Sequence, residues 1–343
     1  MKRLLMFAAA TIVAAACANK PAGDTQHFQK ADNFGALDEA VQLYLQDLRN
    51  QGGTNELNSI MVIKDGKVLE EYYDCCYGPD FLNICWSASK TFTATAVGFA
   101  VQDGLLSVDD KLVKFLSPEE LPEVVSDTLA SLSVYDLLRM SSGLKADPIG
   151  PTGSLQLKTP TRTTLEAGFK FAPGERYAYN SHNTYLLSVI VSKVTGKLVQ
   201  DYLQEKLFTP LGIRNYHWDI SAEGYNMGGW GLYITTESLA KMGQFFLQKG
   251  EWNGVQLLNK EWIEAAMSAQ IYQEGEPVDG NDSALGYGYQ MWCCQHGAAR
   301  LDGAHGQWSI ICPEKNAVIV ITQNSNNART SIKSVWTRIY DKI

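Results

Sequence analysis

Basic residues are in short supply in this 343-residue chain: 29 lysines and arginines face 37 aspartates and glutamates, giving a net charge of -8. With a pI near 5.2 and no lysine- or arginine-rich run, nucleic acid is excluded as a main partner. No C-x-x-C pair occurs, so a zinc site is not expected, and nothing else calls for a metal or an organic cofactor. No internal repeat and no low-complexity body are present, which excludes an array. At 45% hydrophobic and 19% charged residues, a disordered majority is excluded too. The length suits one large core or two coupled lobes.

The chain begins with a basic Met1-Lys2-Arg3, an apolar run from Leu4 to Val13, and a small-residue exit, Ala14-Ala15-Ala16-Cys17. The run is too short to span a bilayer comfortably and reads as an export signal. A cysteine after small residues resembles the bacterial lipobox, whose thiol is lipidated and becomes the new N-terminus. Ala14 stands where leucine is commoner, so secretion with a different cut is the alternative. The expectation is a signal over 1–17 with lipidation at Cys17, a tether over 18–33, and a location in the bacterial cell envelope. The lipid anchor would hold the protein to the membrane on the periplasmic side. Six further cysteines remain, an even number that permits 15 pairings in an exported protein. Disulfides and buried free thiols are both open.

Chemistry concentrates in Cys85-Trp86-Ser87-Ala88-Ser89-Lys90-Thr91-Phe92. A serine hydroxyl is a poor nucleophile until a base takes its proton. Residues i and i+3 of a helix share a face, so Lys90 can reach Ser87. Burial and the positive end of the helix dipole both disfavour the ammonium, so the lysine can act as that base. Ser238-Leu239-Ala240-Lys241 repeats the S-x-x-K spelling, but it follows a helix-capping Thr235-Thr236 on an ordinary amphipathic segment. Ser87 instead opens a small-residue run, Ala88 to Ala100, suited to burial on most sides.

Around that segment the pattern predicts a helix through Leu37, Val41, Leu43, Tyr44 and Leu48. A hairpin of Ser59–Lys64 and Lys67–Tyr73 follows, turned by Asp65-Gly66. A mainly helical stretch runs to Leu211, including Leu132–Met140 and Tyr185–Val194, and another helix covers Thr236–Lys249. Strands return at Tyr287–Cys294, Gln307–Cys312 and Ala317–Thr322, before a helix over Ser331–Ile343. Strands at both ends imply an α/β (α+β) fold in which the two termini build one antiparallel sheet around an inserted helical lobe. The sheet lobe would be 34–86 plus 282–343, the helical lobe 87–281, and Ser87 would lie at their junction, where clefts form.

Four blocks in order resemble the serine β-lactamase and penicillin-binding protein superfamily: the Ser87 segment, Leu132–Leu144, Phe171–Leu211 and Gly228–Trp262. The likeness is to class C β-lactamases, DD-peptidases and their esterase and nylon-oligomer-hydrolase-like amidase relatives, and it implies the β-lactamase/DD-peptidase fold. In that family a Tyr-x-Asn motif follows a Pro-Gly-Glu turn. Counting from Pro173-Gly174-Glu175 gives Tyr179, with Ser181 where the substrate-contacting asparagine is expected. The tyrosine would shuttle a proton, provided that a cation such as Lys90 lowered its pKa from about 10.

The family's third motif, Lys-Thr-Gly or His-Thr-Gly, fits two registers. One makes His305-Gly306-Gln307 the motif; the preferred one aligns Leu301-Asp302-Gly303, leaving Ala304 as an oxyanion N–H donor beside that of Ser87, with His305 just beyond. In the preferred register Leu301 replaces the cation that binds a substrate carboxylate. A charge-assisted bond worth roughly 1.5–3 kcal/mol is then lost, which weighs against β-lactams and stem peptides.

The resemblance therefore implies an exported serine hydrolase acting through an acyl-enzyme on a small ester, amide or peptide-like substrate. Its catalytic residues are Ser87, Lys90 and Tyr179, and oxyanion or substrate contacts come from Ser87, Gly303, Ala304, Ser181 and His305. His182 and Trp308 are candidates to line the cleft. The rivals are a β-lactamase or DD-peptidase, and a non-catalytic binding protein on the same scaffold.

Overall fold

A computed structural model of the chain describes residues 27–52, 54–145, 157–273 and 284–343. The expected signal segment and Cys17 lie outside the described residues. Six strands form one antiparallel sheet in the order β2-β1-β11-β10-β9-β8. They are β1 (Asn55–Lys64), β2 (Lys67–Tyr73), β8 (Trp292–Cys293), β9 (Ala299–Gly303), β10 (Gln307–Cys312) and β11 (Ala317–Ser325). The first two and the last four come from opposite ends of the chain, and β1 pairs with β11, as the sequence pattern predicts. Asp65 and Gly66 both take positive φ, 50° and 77°, which gives the tight turn of the β1–β2 hairpin.

The sheet is apolar on both faces because helices cover both. Ile60, Val62, Ile310 and Ile319 pack with α1 (Asp38–Asn50) and the C-terminal helical segment that begins at Ala328. Met61, Ile63, Ile311, Val318 and Val320 face the larger core, which holds α2 (Ser89–Gln102), α3 (Ser181–Thr195) and α4 (Thr236–Leu247). Helix α4 lies in the segment expected to form the helical lobe, yet it packs on β11, β10 and β1. The inserted segment also contributes strands. β4 (Tyr216–Trp218) and β5 (Leu232–Ile234) join β3 (Asn83–Ile84) in a small sheet, and β6 (Glu251–Trp252) and β7 (Val255–Gln256) form a ribbon.

Several sequence expectations need correction. Residues 27–33, at the end of the expected tether, are bound to the body: the Ala31 N–H donates to the Val68 carbonyl at 2.9 Å, and Phe28 packs edge-on against Trp252. The strand expected over Tyr287–Cys294 shrinks to Trp292–Cys293 because Gln290 takes φ 61° and leaves the sheet. Its side-chain amide donates to the Leu137 and Leu138 carbonyls at 3.0 and 2.7 Å, capping the short Val134–Leu138 helix. Trp308 does not line a cleft. It is buried on the α1 face of the sheet opposite Ile321. All six described cysteines are free thiols, so no disulfide framework holds this region.

Candidate active site

The nucleophile candidate sits at a bend rather than within a regular helix. The Cys85 N–H donates to the Leu232 carbonyl at 2.8 Å, tying the end of β3 to β5. Trp86 then takes φ 46°, a left-handed conformation rare for a bulky side chain and common where chains are held for function. Ser87 lies in a single 3-10 turn, Trp86–Ala88, and α2 starts at Ser89. Ser89 Oγ locks the bend by donating to the Trp86 carbonyl at 2.6 Å and accepting the Leu232 N–H at 3.2 Å. The turn runs straight into the helix, so Lys90 keeps the one-turn spacing that the sequence predicts.

Lys90 is 1% exposed, inside a helix whose residues from Ser89 to Ala100 are all buried. Its Nζ lies 3.0 Å from both Ser87 Oγ and Ser181 Oγ and donates to the Gly229 carbonyl at 2.6 Å. Burial lowers its pKa from 10.5 to about 7. The three partners fit the neutral amine, which has two N–H bonds and one lone pair. A carbonyl can only accept, so one N–H is committed to Gly229, and Ser181 Oγ can accept the other. The lone pair is then left for the Ser87 hydroxyl. Ser181 thus holds the base rather than supplying an amide to substrate. Gly229 was missed as a partner in the sequence, although the Gly228-Gly229 doublet stood in one of the four blocks.

Tyr179 is 38% exposed, and its hydroxyl feels the Ser87 and Ser181 hydroxyls close by. Lys90 Nζ lies 5.1 Å from the ring centroid. The expected lowering of its pKa does not occur. Desolvation pushes the phenol well above its ordinary value and outweighs the lowering by the two serine hydroxyls, and the Asp302 carboxylate raises it further. Tyr179 therefore keeps its proton at neutral pH and can serve as a donor. Its ring stacks on Trp292, with centroids 6.1 Å apart and planes 20° apart. Trp292 was absent from the sequence argument because its strand carries no motif.

The third element is the edge of β9. Gly303 abuts the turn before the nucleophile so closely that a Cβ there would run into the Cys85 carbonyl oxygen. Residues 304–306 form the turn between β9 and β10, with Ala304 exposed at its first position. Strand β9, ending in Leu301-Asp302-Gly303, runs beside the Ser87 turn, and the start of β10 also comes against it. Leu301 is fully buried in the larger core. Asp302 takes an ion pair from Arg300, Nε to Oδ2 at 2.6 Å, and the carboxylate side chain is 24% exposed against 5% for the arginine. The charge offered outward at this strand is therefore negative. His305, at φ 65°, lies with its ring 5.6 Å from that of Trp86. It also lines an open cavity of about 440 Å³ with Asn327 and Arg329.

The remaining candidates are not gathered here. His182 is buried edge-on against Trp230. Ser238 bonds the capping Thr235 hydroxyl at 2.8 Å, which accounts for the second S-x-x-K spelling as a helix start. Among the described residues no cluster of three or more metal-ligating side chains occurs.

Comparison with known proteins agrees with this arrangement. The family described as Beta-lactamase matches residues 41–341. The 6-aminohexanoate-dimer hydrolase of Paenarthrobacter ureafaciens is 25% identical over 302 residues, spanning 82% of this chain and 76% of that protein. The octameric penicillin-binding protein homologue from Pyrococcus abyssi superposes with a TM-score of 0.70 at 22% identity, over 88% of this chain and 76% of that one. EstCE1, a hydrolase with promiscuous acyltransferase activity, gives a TM-score of 0.72 at 15% identity, over 89% and 98%. The fold is thus that of the β-lactamases and penicillin-binding proteins. With the family profile running through nearly all of the described residues, the chain belongs to the Beta-lactamase family and is a serine hydrolase.

Proposed function

We propose that this protein hydrolyses a small ester or amide through an acyl-enzyme on Ser87. Neutral Lys90 takes the hydroxyl proton as Ser87 attacks the carbonyl. Tyr179, held protonated, gives its proton to the leaving group and is reprotonated by the proton that Lys90 took from Ser87. Water then repeats the sequence to release the acid. The N–H groups of Ser87 and Ala304 hold the oxyanion, and Gly303 lets β9 come close enough for that. The observation that carries this reading is the buried Lys90 amine, 3.0 Å from Ser87 Oγ and with a pKa near 7.

Two features favour esters and amides over β-lactams and carboxypeptidase substrates. Leu301 offers no cation to a substrate carboxylate, and beside it the Arg300 cation is already committed to the half-buried Asp302. The name of the Paenarthrobacter ureafaciens relative, 6-aminohexanoate-dimer hydrolase, is in keeping with an amide. The test is intact mass and turnover after exposure to p-nitrophenyl butyrate and, separately, to a chromogenic cephalosporin. Ester turnover that falls by at least about a thousandfold in Ser87→Ala, without a cephalosporin adduct, is expected. A cephalosporin adduct on Ser87 would restore the penicillin-recognising reading, and no turnover of any ester or amide would leave a binding protein.

The same proposal includes export and a lipid on Cys17, supported by the basic start, apolar run and small-residue exit of the first 17 residues. Residues 18–26 would then be the whole of the tether, placing the site on the periplasmic side of a membrane. Labelling with radioactive palmitate in a bacterial host, lost in Cys17→Ser, is the expected result. An unlabelled wild-type chain would remove the anchor.

A further inference from the structure

Four of the described cysteines are buried, whereas the adjacent pair Cys75 and Cys76 is exposed. Burial pushes Cys85 up to about 12 and Cys293 up to about 11, so these thiols stay protonated and inert. The exposed pair is held differently. It occupies the two central positions of a turn closed by the Tyr77 N–H donating to the Asp74 carbonyl at 2.8 Å. The Cys75 N–H is fixed on Asp74 Oδ1 at 2.9 Å, and the two sulfurs stand 3.5 Å apart. The neighbouring sulfur raises the Cys75 thiol above its ordinary value, since one sulfur keeps a proton shared with the other.

We propose that Cys75 and Cys76 are a thiol modification site that closes reversibly into a disulfide between neighbouring residues. Adjacent Cα atoms are about 3.8 Å apart across a trans peptide, below the usual disulfide range of roughly 4.4–6.8 Å. The ring must distort the turn to bring the sulfurs into bonding distance. Such strain makes a disulfide easier to reduce, the behaviour of labile bonds rather than of structural ones. The oxidant is a low-molecular-weight disulfide. One cysteine thiolate attacks it, expelling the first small thiolate and forming a mixed disulfide. The neighbouring cysteine loses its proton, attacks the protein-bound sulfur of that mixed disulfide, and expels the second small thiolate. Two protein thiols are oxidised and one small disulfide is reduced to two thiols.

The pair lies in the loop that leads from β2 to β3 and on to Ser87, and its hydrogen bonds go to Asp74 and between the two sulfurs, not to a site residue. The inference is thus independent of the catalytic reading. The test treats the reduced full chain with glutathione disulfide at increasing ratio to glutathione, then cleaves before aspartates. The fragment 74–79 contains Cys75 and Cys76 and no other cysteine. It is expected to lose two hydrogens and to regain them with dithiothreitol, while Cys85, Cys293, Cys294 and Cys312 alkylate only after denaturation. Cys75→Ser should carry one glutathione on Cys76 while hydrolysing esters as the wild type does. A fragment that stays fully alkylatable would overturn the proposal, as would one that ends with one or two glutathiones and no loss of two hydrogens.

Discussion

At the scale of single residues the chemistry turns on one proton. Lys90 works as a base only when neutral, and burial brings its pKa to about 7. The rate kcat/KM on a neutral ester should therefore rise with pH through a midpoint near 7 and then level off. Tyr179 retains its proton well past the ordinary phenol range, so it should add no alkaline limb below about pH 10. Lys90→Arg keeps the charge at all accessible pH and should flatten the profile at a rate at least about a hundredfold lower. A pH–rate series on p-nitrophenyl butyrate checks both points. A wild-type midpoint near 5, or a plateau retained in the arginine variant, would assign the base to another group. The Lys90 partners explain why the sequence was only half informative here. S-x-x-K spacing reveals the Ser87 contact, but the Ser181 and Gly229 contacts arise from elements 91 and 139 residues away.

At the scale of elements the nucleophile is presented by a contact between two backbones. β9 passes the Cys85 carbonyl with no room for a side chain at Gly303, while Trp86 takes a left-handed turn. Gly303→Ala should push the strand away from the turn and separate the Ser87 and Ala304 N–H groups. A loss of about 2 kcal/mol in stability is expected, within the usual cost of overpacking, together with at least about a hundredfold loss in kcat. Urea denaturation and ester turnover on the same sample distinguish the two effects. Wild-type activity in a folded variant would show that β9 supplies no oxyanion donor. Elements of this kind differ in how visible they are in sequence. Helix α3 was legible because Gly196 stops it in the left-handed conformation, and the β1–β2 hairpin because Asp65-Gly66 permits its turn. The strand around Gln290 was not legible, because its break depends on carbonyls of the distant Val134–Leu138 helix. The bend at Trp86 was also hidden. Ser89 locks it locally, but the Leu232 N–H that holds the Ser89 hydroxyl comes from 143 residues away.

At the scale of the molecule, the cost of the site should appear in stability against pH. The pairing of terminal strands around an inserted segment was readable from where apolar runs fall, and it buries α2 on every side. That burial is what would let Lys90 act as the proposed base, and it also opposes folding whenever the amine must be charged. Below pH 7 the lysine is protonated in both folded and unfolded chains, so the full cost of burying the ammonium is felt. Between about 7 and 10.5 the unfolded chain holds a proton that the folded chain has released, and stability rises with pH. A lowered pKa of that size corresponds to about 5 kcal/mol, and burial of Lys241 acts in the same direction. The buried tyrosines act oppositely. Tyr44, Tyr185 and Tyr287 are all raised by desolvation, so above about pH 10 the unfolded chain loses protons that the folded one keeps, and stability falls. Unfolding free energy should therefore climb from pH 7, peak near 9–10 and decline beyond. In Lys90→Met the climb should shrink to the part owed to Lys241 while the decline remains, because the tyrosines are untouched. Urea denaturation at intervals of one pH unit, for wild type and variant together, reads the difference. Parallel curves would mean that the buried amine titrates at its ordinary value, and both the stability argument and the assignment of Lys90 as the base would fall.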